Sequence, residues 1–178
     1  MRIIAGSHKG RRLVAPKGLD TRPTGDRVRE AAFNLIGPVD GAAVLDLFAG
    51  SGAMGLEALS RGAERAVFVE SDRDAVRAIE ANLDTLGLRA AVLRADAVRA
   101  LADEAAAGRR YDLVLVDPPY RMLADLIPRL QRHLAAVLEP GGLLVVESDA
   151  REEPEVDGLA VRTSRRYGSA RLTLFEHA

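Results

Sequence analysis

The chain has no cysteine and no tryptophan, and among its 178 residues only three histidines, four phenylalanines and three tyrosines. Without cysteine there is no disulfide framework, no thiolate zinc site and no cysteine nucleophile. His8, His133 and His177 are scattered without ligand spacing, so no metal site is expected. Long hydrophobic runs are also missing: stretches such as Leu113–Val116 and Leu143–Val146 are strand-sized, and the start Met1–Gly6 lacks the apolar core of a signal peptide. A cytoplasmic protein that uses no membrane is expected. What remains, 48% hydrophobic and 29% charged, is enough for one domain with a real core.

A formal net charge of −1 hides an asymmetry. Residues 1–30 carry eight basic side chains (Arg2, Lys9, Arg11, Arg12, Lys17, Arg22, Arg27, Arg29) against three acids (Asp20, Asp26, Glu30), so the rest of the chain is acidic. A basic arm on an acidic body fits a polyanionic partner met by one face, although a solvated terminus would show the same composition. Within the arm, Arg2–Ala5 and Arg12–Ala15 read as short strands of a β-hairpin around Gly6-Ser7-His8-Lys9-Gly10. We therefore divide the chain into a basic hairpin arm and linker, 1–25, and a main domain, 26–178.

Apolar positions 28, 32, 35 and 36 recur at helical spacing behind Thr24 or Asp26 as cap, with Gly37-Pro38 as the stop. From residue 43 the pattern alternates. Strands are expected at 43–48, 65–70, 90–94, 111–116 and 143–147, and helices at 53–61, 72–86, 97–107 and 122–138, the last ending near Gly141-Gly142. That alternation implies a parallel, doubly wound α/β sheet covered on both faces. The strands 159–165 and 171–176, joined by residues 166–170 alone, can form only an antiparallel hairpin. The fold class is thus α/β with a mostly parallel seven-stranded sheet that ends in an antiparallel hairpin.

Two motifs carry chemistry. The strand Val44–Leu47 runs into the turn Phe48, Ala49, Gly50, Ser51, Gly52, which opens a helix where ligand can approach the backbone. Gly50, Gly52 and Gly55 satisfy a dinucleotide-binding spacing, and Glu70-Ser71 lies at the end of the next strand, where an acid accepts from a ribose diol. The glycines alone leave a nicotinamide dinucleotide and S-adenosylmethionine both open, the first of which would make an oxidoreductase. Asp46 tilts the choice, because an acid ahead of the glycines repels a pyrophosphate and suits a cationic methionine end. Asp96-Ala97, after the third strand, offers a carboxylate for an adenine amine or a helix N-cap.

The second motif is Asp117-Pro118-Pro119-Tyr120, after the apolar strand 111–116. Consecutive prolines hold the backbone extended, so carbonyls there can face a cleft. An exocyclic amine is a poor nucleophile, since its lone pair is delocalised into the ring. It needs acceptors for its hydrogens, and the Asp117 carboxylate and Pro118 carbonyl can supply them, while Tyr120 offers a flat face to an unstacked base. Topology puts Tyr167, in Arg166-Tyr167-Gly168, on the same sheet edge. The stretch Thr21–Arg27 before the first helix could meet a carboxylate or phosphate, or simply cap the helix.

Taken together, Arg2-Ile3-Ile4-Ala5-Gly6, Gly10-Arg11-Arg12-Leu13, Thr21-Arg22-Pro23-Thr24, Asp26–Ala31 and Phe33-Asn34 resemble the N-terminal signature of the bacterial 16S ribosomal RNA guanine-N2 methyltransferases. Asp46–Gly52, Phe68-Val69-Glu70, Asp117–Tyr120 and Arg166–Gly168 continue the resemblance over almost the whole chain. It implies the class I methyltransferase fold, Rossmann-like in plan. It also implies S-adenosylmethionine as donor, S-adenosylhomocysteine as product, and N2 of a guanine in 16S RNA, within the small ribosomal subunit, as acceptor for a monomeric enzyme. On this reading Asp117, Pro118 and Tyr120 are catalytic. The cofactor residues are Asp46, Phe48, Ala49, Gly50, Ser51, Gly52, Glu70, Ser71, Asp96, Ala97 and Asp117, and the RNA contacts are Arg2, Lys9, Arg11, Arg12, Arg22, Arg27 and Tyr167. Asp-Pro-Pro-Tyr would equally serve N6 of adenine in DNA or RNA, or a glutamine amide, and a non-catalytic RNA-binding assembly factor could use the same fold. One departure is the segment 148–158, short and acidic where a helix often lies in this family.

Overall fold

A computed structural model describes residues 1–17 and 25–178. Its centre is a seven-stranded sheet of order β3-β2-β1-β4-β5-β7-β6. The strands are β1 (Ala43–Leu47), β2 (Arg65–Glu70), β3 (Ala91–Arg94), β4 (Tyr111–Val116), β5 (Leu138–Asp149), β6 (Leu159–Tyr167) and β7 (Ala170–His177). The first five run parallel, and β7 is antiparallel to both β5 and β6. Central strands such as β1 and β4 are apolar almost throughout because both faces are covered.

On one face lie α1 (Asp26–Ile36), α2 (Ala53–Ser60) and α3 (Arg73–Leu86), which pack Phe33, Leu56 and Ile79 against Val44, Phe68 and Leu115. Ile3 and Leu13 of the N-terminal segment join the same cluster. On the other face α4 (Ala97–Ala106) and α5 (Leu123–Val137) bury Leu101, Leu130 and Leu134 against Leu45, Val114 and Val146. The sequence at α3 sets its ends: the Asp72 carboxylate accepts from the N–H groups of Asp74 and Ala75, and Gly87 takes the left-handed conformation that closes the helix. Among the described residues no helix is long and apolar enough to cross a membrane.

Several boundaries differ from those expected, for local physical reasons. Helix α5 ends at Val137, within one residue of the expected 138, but β5 begins at once, at Leu138, rather than at 143. Pro140 disfavours a helical Glu139, and the register against β4 shifts between Tyr111 and Leu113 to absorb the extra residues. The terminal hairpin turns through Gly168 and Ser169 alone, Gly168 having φ 61°, so β6 and β7 run longer than expected. Residues 150–158 contain no helix. Gly25, not Asp26, occupies the cap position of α1 and makes no side-chain bond; the alternative cap, Thr24, lies outside the described residues.

The expected N-terminal strands reduce to one antiparallel bridge, between Arg2 and Arg12. Around it the Ile3 and Leu13 N–H groups donate to the Arg11 and Met1 carbonyls and the Gly10 N–H to the Ile3 carbonyl, so the hairpin forms, and the main domain takes the backbone groups beyond it. The N–H groups of Ile4 and Ala5 donate to the Glu57 carboxylate at 2.8 and 2.9 Å. The Asn82 side chain bonds both the N–H and the carbonyl of Val14. A Cβ at Gly6 would sit 1.8 Å from the Ser60 carbonyl oxygen, so only glycine admits this approach.

Candidate active site

The parallel strands deliver Asp46, Glu70, Asp117 and Glu147 to one edge of the sheet, across the point between β1 and β4 where the strand order reverses. Open α/β sheets bind ligands at such a point.

The turn after β1 is held from both sides. Phe48 has φ 60°, a conformation unusual for a bulky residue, and the chain then doubles back with the Gly52 N–H on the Ala49 carbonyl at 2.7 Å. Glu70 fixes the turn to β2: its Oε2 accepts from the Gly50 N–H and its Oε1 from the Asp72 N–H, at 2.8 and 2.9 Å. Each carboxylate oxygen has a second lone pair with which to meet a hydroxyl. Asn82 donates to the Ser51 carbonyl at 3.0 Å, so the amide that holds the N-terminal segment also holds this turn. Gly55 lets α2 lie close to the sheet, where a Cβ would fall 2.4 Å from the Phe68 ring.

Asp46 is 2% exposed, and its Oδ2 accepts from the Gly55 N–H at 2.9 Å. Burial pushes its pKa up to about 7, a rise opposed by the Gly55 bond and reinforced by the charge of Glu70. A buried carboxyl with this pKa is poised to ionise when a cation arrives. Ser71 is exposed beside Glu70, Asp96 is exposed and caps α4 through the Arg99 N–H at 3.0 Å, and Ala97 is buried as the first residue of that helix.

Beyond β4, Asp117 is half-buried, Pro118 buried, and Tyr120 starts a single 3-10 turn, Tyr120–Met122. The Tyr120 hydroxyl donates to Glu147 Oε1 at 2.9 Å. Glu147 is 8% exposed near the end of β5, one residue past the register pair Val116–Val146, which places it beside Asp117 on the neighbouring strand. The sequence reading missed this residue. Its signal was an acid directly after an apolar strand, as at Asp117, but without prolines to mark it. Tyr167 reaches the same edge at the end of β6, two strands beyond β5, and packs half-buried against the cluster that holds α1.

The expected RNA contacts do not share one environment. Arg2, Lys9, Arg11, Arg12 and Arg27 are exposed. The Arg11 guanidinium donates to the Thr85 carbonyl at 2.8 Å, capping the end of α3. Arg22 lies outside the described residues. Arg29, counted in the basic arm, is fully buried: it donates to the Arg2 carbonyl and to Asp26 at 2.8 Å, and lies 3.6 Å from Glu57. Among the described residues no cluster of three or more His, Asp or Glu side chains could hold a metal ion.

A family model described as conserved hypothetical protein 95 matches residues 1–176. The chain is 42% identical over 159 residues to Ribosomal RNA small subunit methyltransferase D of Escherichia coli (strain K12), a match covering 88% of this chain and 76% of that protein. It is 44% identical over 186 residues to YlbH of Bacillus subtilis (strain 168), provisionally named an rRNA methyltransferase, over 99% of this chain and 98% of that one. A solved structure, yhhF from Escherichia coli, provisionally described as a methyltransferase, superimposes with a TM-score of 0.84 at 36% identity, covering 99% of this chain and 97% of that one.

Proposed function

Since the chain belongs to the conserved hypothetical protein 95 family, we propose that it is an S-adenosylmethionine-dependent methyltransferase acting on the N2 amine of a guanine in 16S ribosomal RNA, with the small ribosomal subunit as its substrate. One observation carries the reading: the sheet edge that holds the glycine turn with Asp46 and Glu70 also holds Asp117-Pro118-Pro119-Tyr120. A relative sharing 42% identity over most of the chain bears the name of a small-subunit RNA methyltransferase, which supports the choice of acceptor. Residues 26–178 form the catalytic domain on this reading, and residues 1–25 its RNA-facing extension.

The residues fit the donor. Gly50 has φ 57° and open space where a Cβ would lie, so its backbone stands open to a ligand. Asp46 would hold the cationic end of the donor, Glu70 its ribose hydroxyls, the turn 48–52 its nucleoside, and Ser71, Asp96 and Ala97 its base. When bound, the donor supplies a methyl group made electrophilic by a sulfonium sulfur.

The chain's own residues prepare the acceptor. The Asp117 carboxylate and the Pro118 carbonyl each accept one hydrogen of the guanine N2 amine, turning its lone pair out of the ring plane. Methylation leaves that nitrogen positively charged, and Asp117 is placed to take its surplus proton. Tyr120 stacks on the base.

The test is mass spectrometry of ribosomal RNA nucleosides after incubation with methyl-labelled S-adenosylmethionine and unmodified small subunits, with naked RNA alongside. Labelled N2-methylguanosine is the expected product. Asp117→Ala should lower kcat by about 10²–10⁴-fold while the donor Kd stays within a few-fold. A fully active Asp117→Ala protein would overturn the mechanism, and full biological rescue by an inactive one would favour a binding role.

A further inference from the structure

Glu147 has no part in the mechanism above, yet it is the nearest neighbour in register to the residue that holds the reacting amine. Val116 of β4 pairs with Val146 of β5, and one step on, Asp117 and Glu147 leave the two strands side by side. The Tyr120 hydroxyl reaches across to Glu147 Oε1 at 2.9 Å, so the acid that lies beside Asp117 is tied to the ring that meets the base. At 8% exposure this carboxylate is buried beside Asp117. We infer that Glu147 is the residue that selects guanine, by accepting the ring N1–H of the base whose N2 amine is held by Asp117 and Pro118.

The chemistry follows from the guanine edge. N1–H and the N2 amine form a contiguous row of donors, so two acidic groups from adjacent strands match it. Adenine presents an amine beside a ring nitrogen that is itself an acceptor, and a carboxylate there would face a lone pair with no hydrogen between them. The bond from Tyr120 occupies one of the carboxylate's several acceptor positions and orients Glu147. Sites built to receive a particular hydrogen discriminate strongly against an analogue that lacks it. Glu147 thus acts on specificity through its own contact with the base, and on positioning through Tyr120.

This inference rests on the proposed guanine-N2 activity, and its test separates the two. Small subunits are reconstituted with 16S RNA carrying 2-aminopurine, which keeps the amine but has an acceptor at N1, in place of the target guanine located by mass mapping of nuclease fragments of the labelled RNA. The wild-type protein should methylate guanine with kcat/KM at least about tenfold above 2-aminopurine. In Glu147→Gln, whose amide can either accept or donate, that preference should collapse towards unity, with the S-adenosylhomocysteine Kd unchanged. A wild-type protein that uses both bases equally overturns the inference without any variant. So does a Glu147→Gln protein that loses rate on both bases in proportion, which would leave Glu147 only as an anchor for Tyr120. A wild-type protein that labels no guanine removes the functional reading itself.

Discussion

Asp46 ends β1 under the glycine turn, 2% exposed, with its pKa pushed up to about 7 by burial. The same group in an unfolded chain would titrate near 3.8, so folding takes up a proton between those values. Its contribution to stability is therefore full below pH 4 and is lost as pH rises through 7. Asp46→Asn should gain stability relative to the wild type from pH 5 to pH 8, read as a widening difference in urea midpoint. Binding shows the opposite trend. A cationic donor requires the ionised form, so affinity for S-adenosylmethionine should fall by up to about tenfold per pH unit below 7. Calorimetric Kd values between pH 5.5 and 8.5 test this, and Asp46→Asn should bind weakly with no such slope. A residue's chemistry was legible here from position alone: an acid at a strand tip ahead of glycines. Its burial was not, because the Gly55 N–H that receives it comes from a helix nine residues later.

At the scale of elements, the N-terminal segment forms the expected hairpin only in short form and owes its other contacts to the main domain. Alternation predicted two strands paired to each other, and the fold pairs them over residues 1–3 and 10–13; beyond that their backbone is bound by Glu57, Ser60 and Asn82 of the main domain. Glu57 is the hub, fully buried, receiving Ile4 and Ala5 N–H groups and ion-paired with Arg61 and Arg29. Removing one partner of a buried pair leaves the other uncompensated. Glu57→Ala is expected to cost about 3–5 kcal/mol in urea unfolding, well above the loss of an exposed ion pair. Gly6→Ala should separate the two layers in a second way, since its φ of 84° and the Ser60 carbonyl both oppose a side chain. Periodicity located helices α1 to α5 and the parallel strands because their burial repeats over many residues. It could not locate α5's abrupt passage into β5, which depends on a register shift against β4.

Across the whole molecule, charge and topology act together. The basic surface of the arm is smaller than the composition implies, because Arg29 is inside the protein, while Arg11 stays exposed as it caps α3. Arg2 and Arg12, opposite each other at the bridge, remain exposed with Lys9 and Arg27. Like charges directly across a strand pair repel, and an anion between them relieves the repulsion. Replacing Lys9 and Arg12 by alanine should reduce the slope of log K against log salt for small-subunit binding by about 1.4–1.8, at roughly 0.7–0.9 per phosphate contact. Donor affinity should not change. An unaltered slope would remove the arm from the RNA interface.

The sequence by itself determined the sheet, the terminal hairpin, the glycine turn and the Asp117–Tyr120 motif, because each depends on neighbours in the chain or on a repeating pattern of burial. Only the tertiary structure decided that Glu147 stands beside Asp117, that Asn82 joins the N-terminal segment to the glycine turn, and that Arg29 is buried on Glu57. Those pairings link residues roughly thirty to seventy positions apart. No local propensity encodes them; they follow from strand order and from which helix face the parallel crossovers press against the sheet.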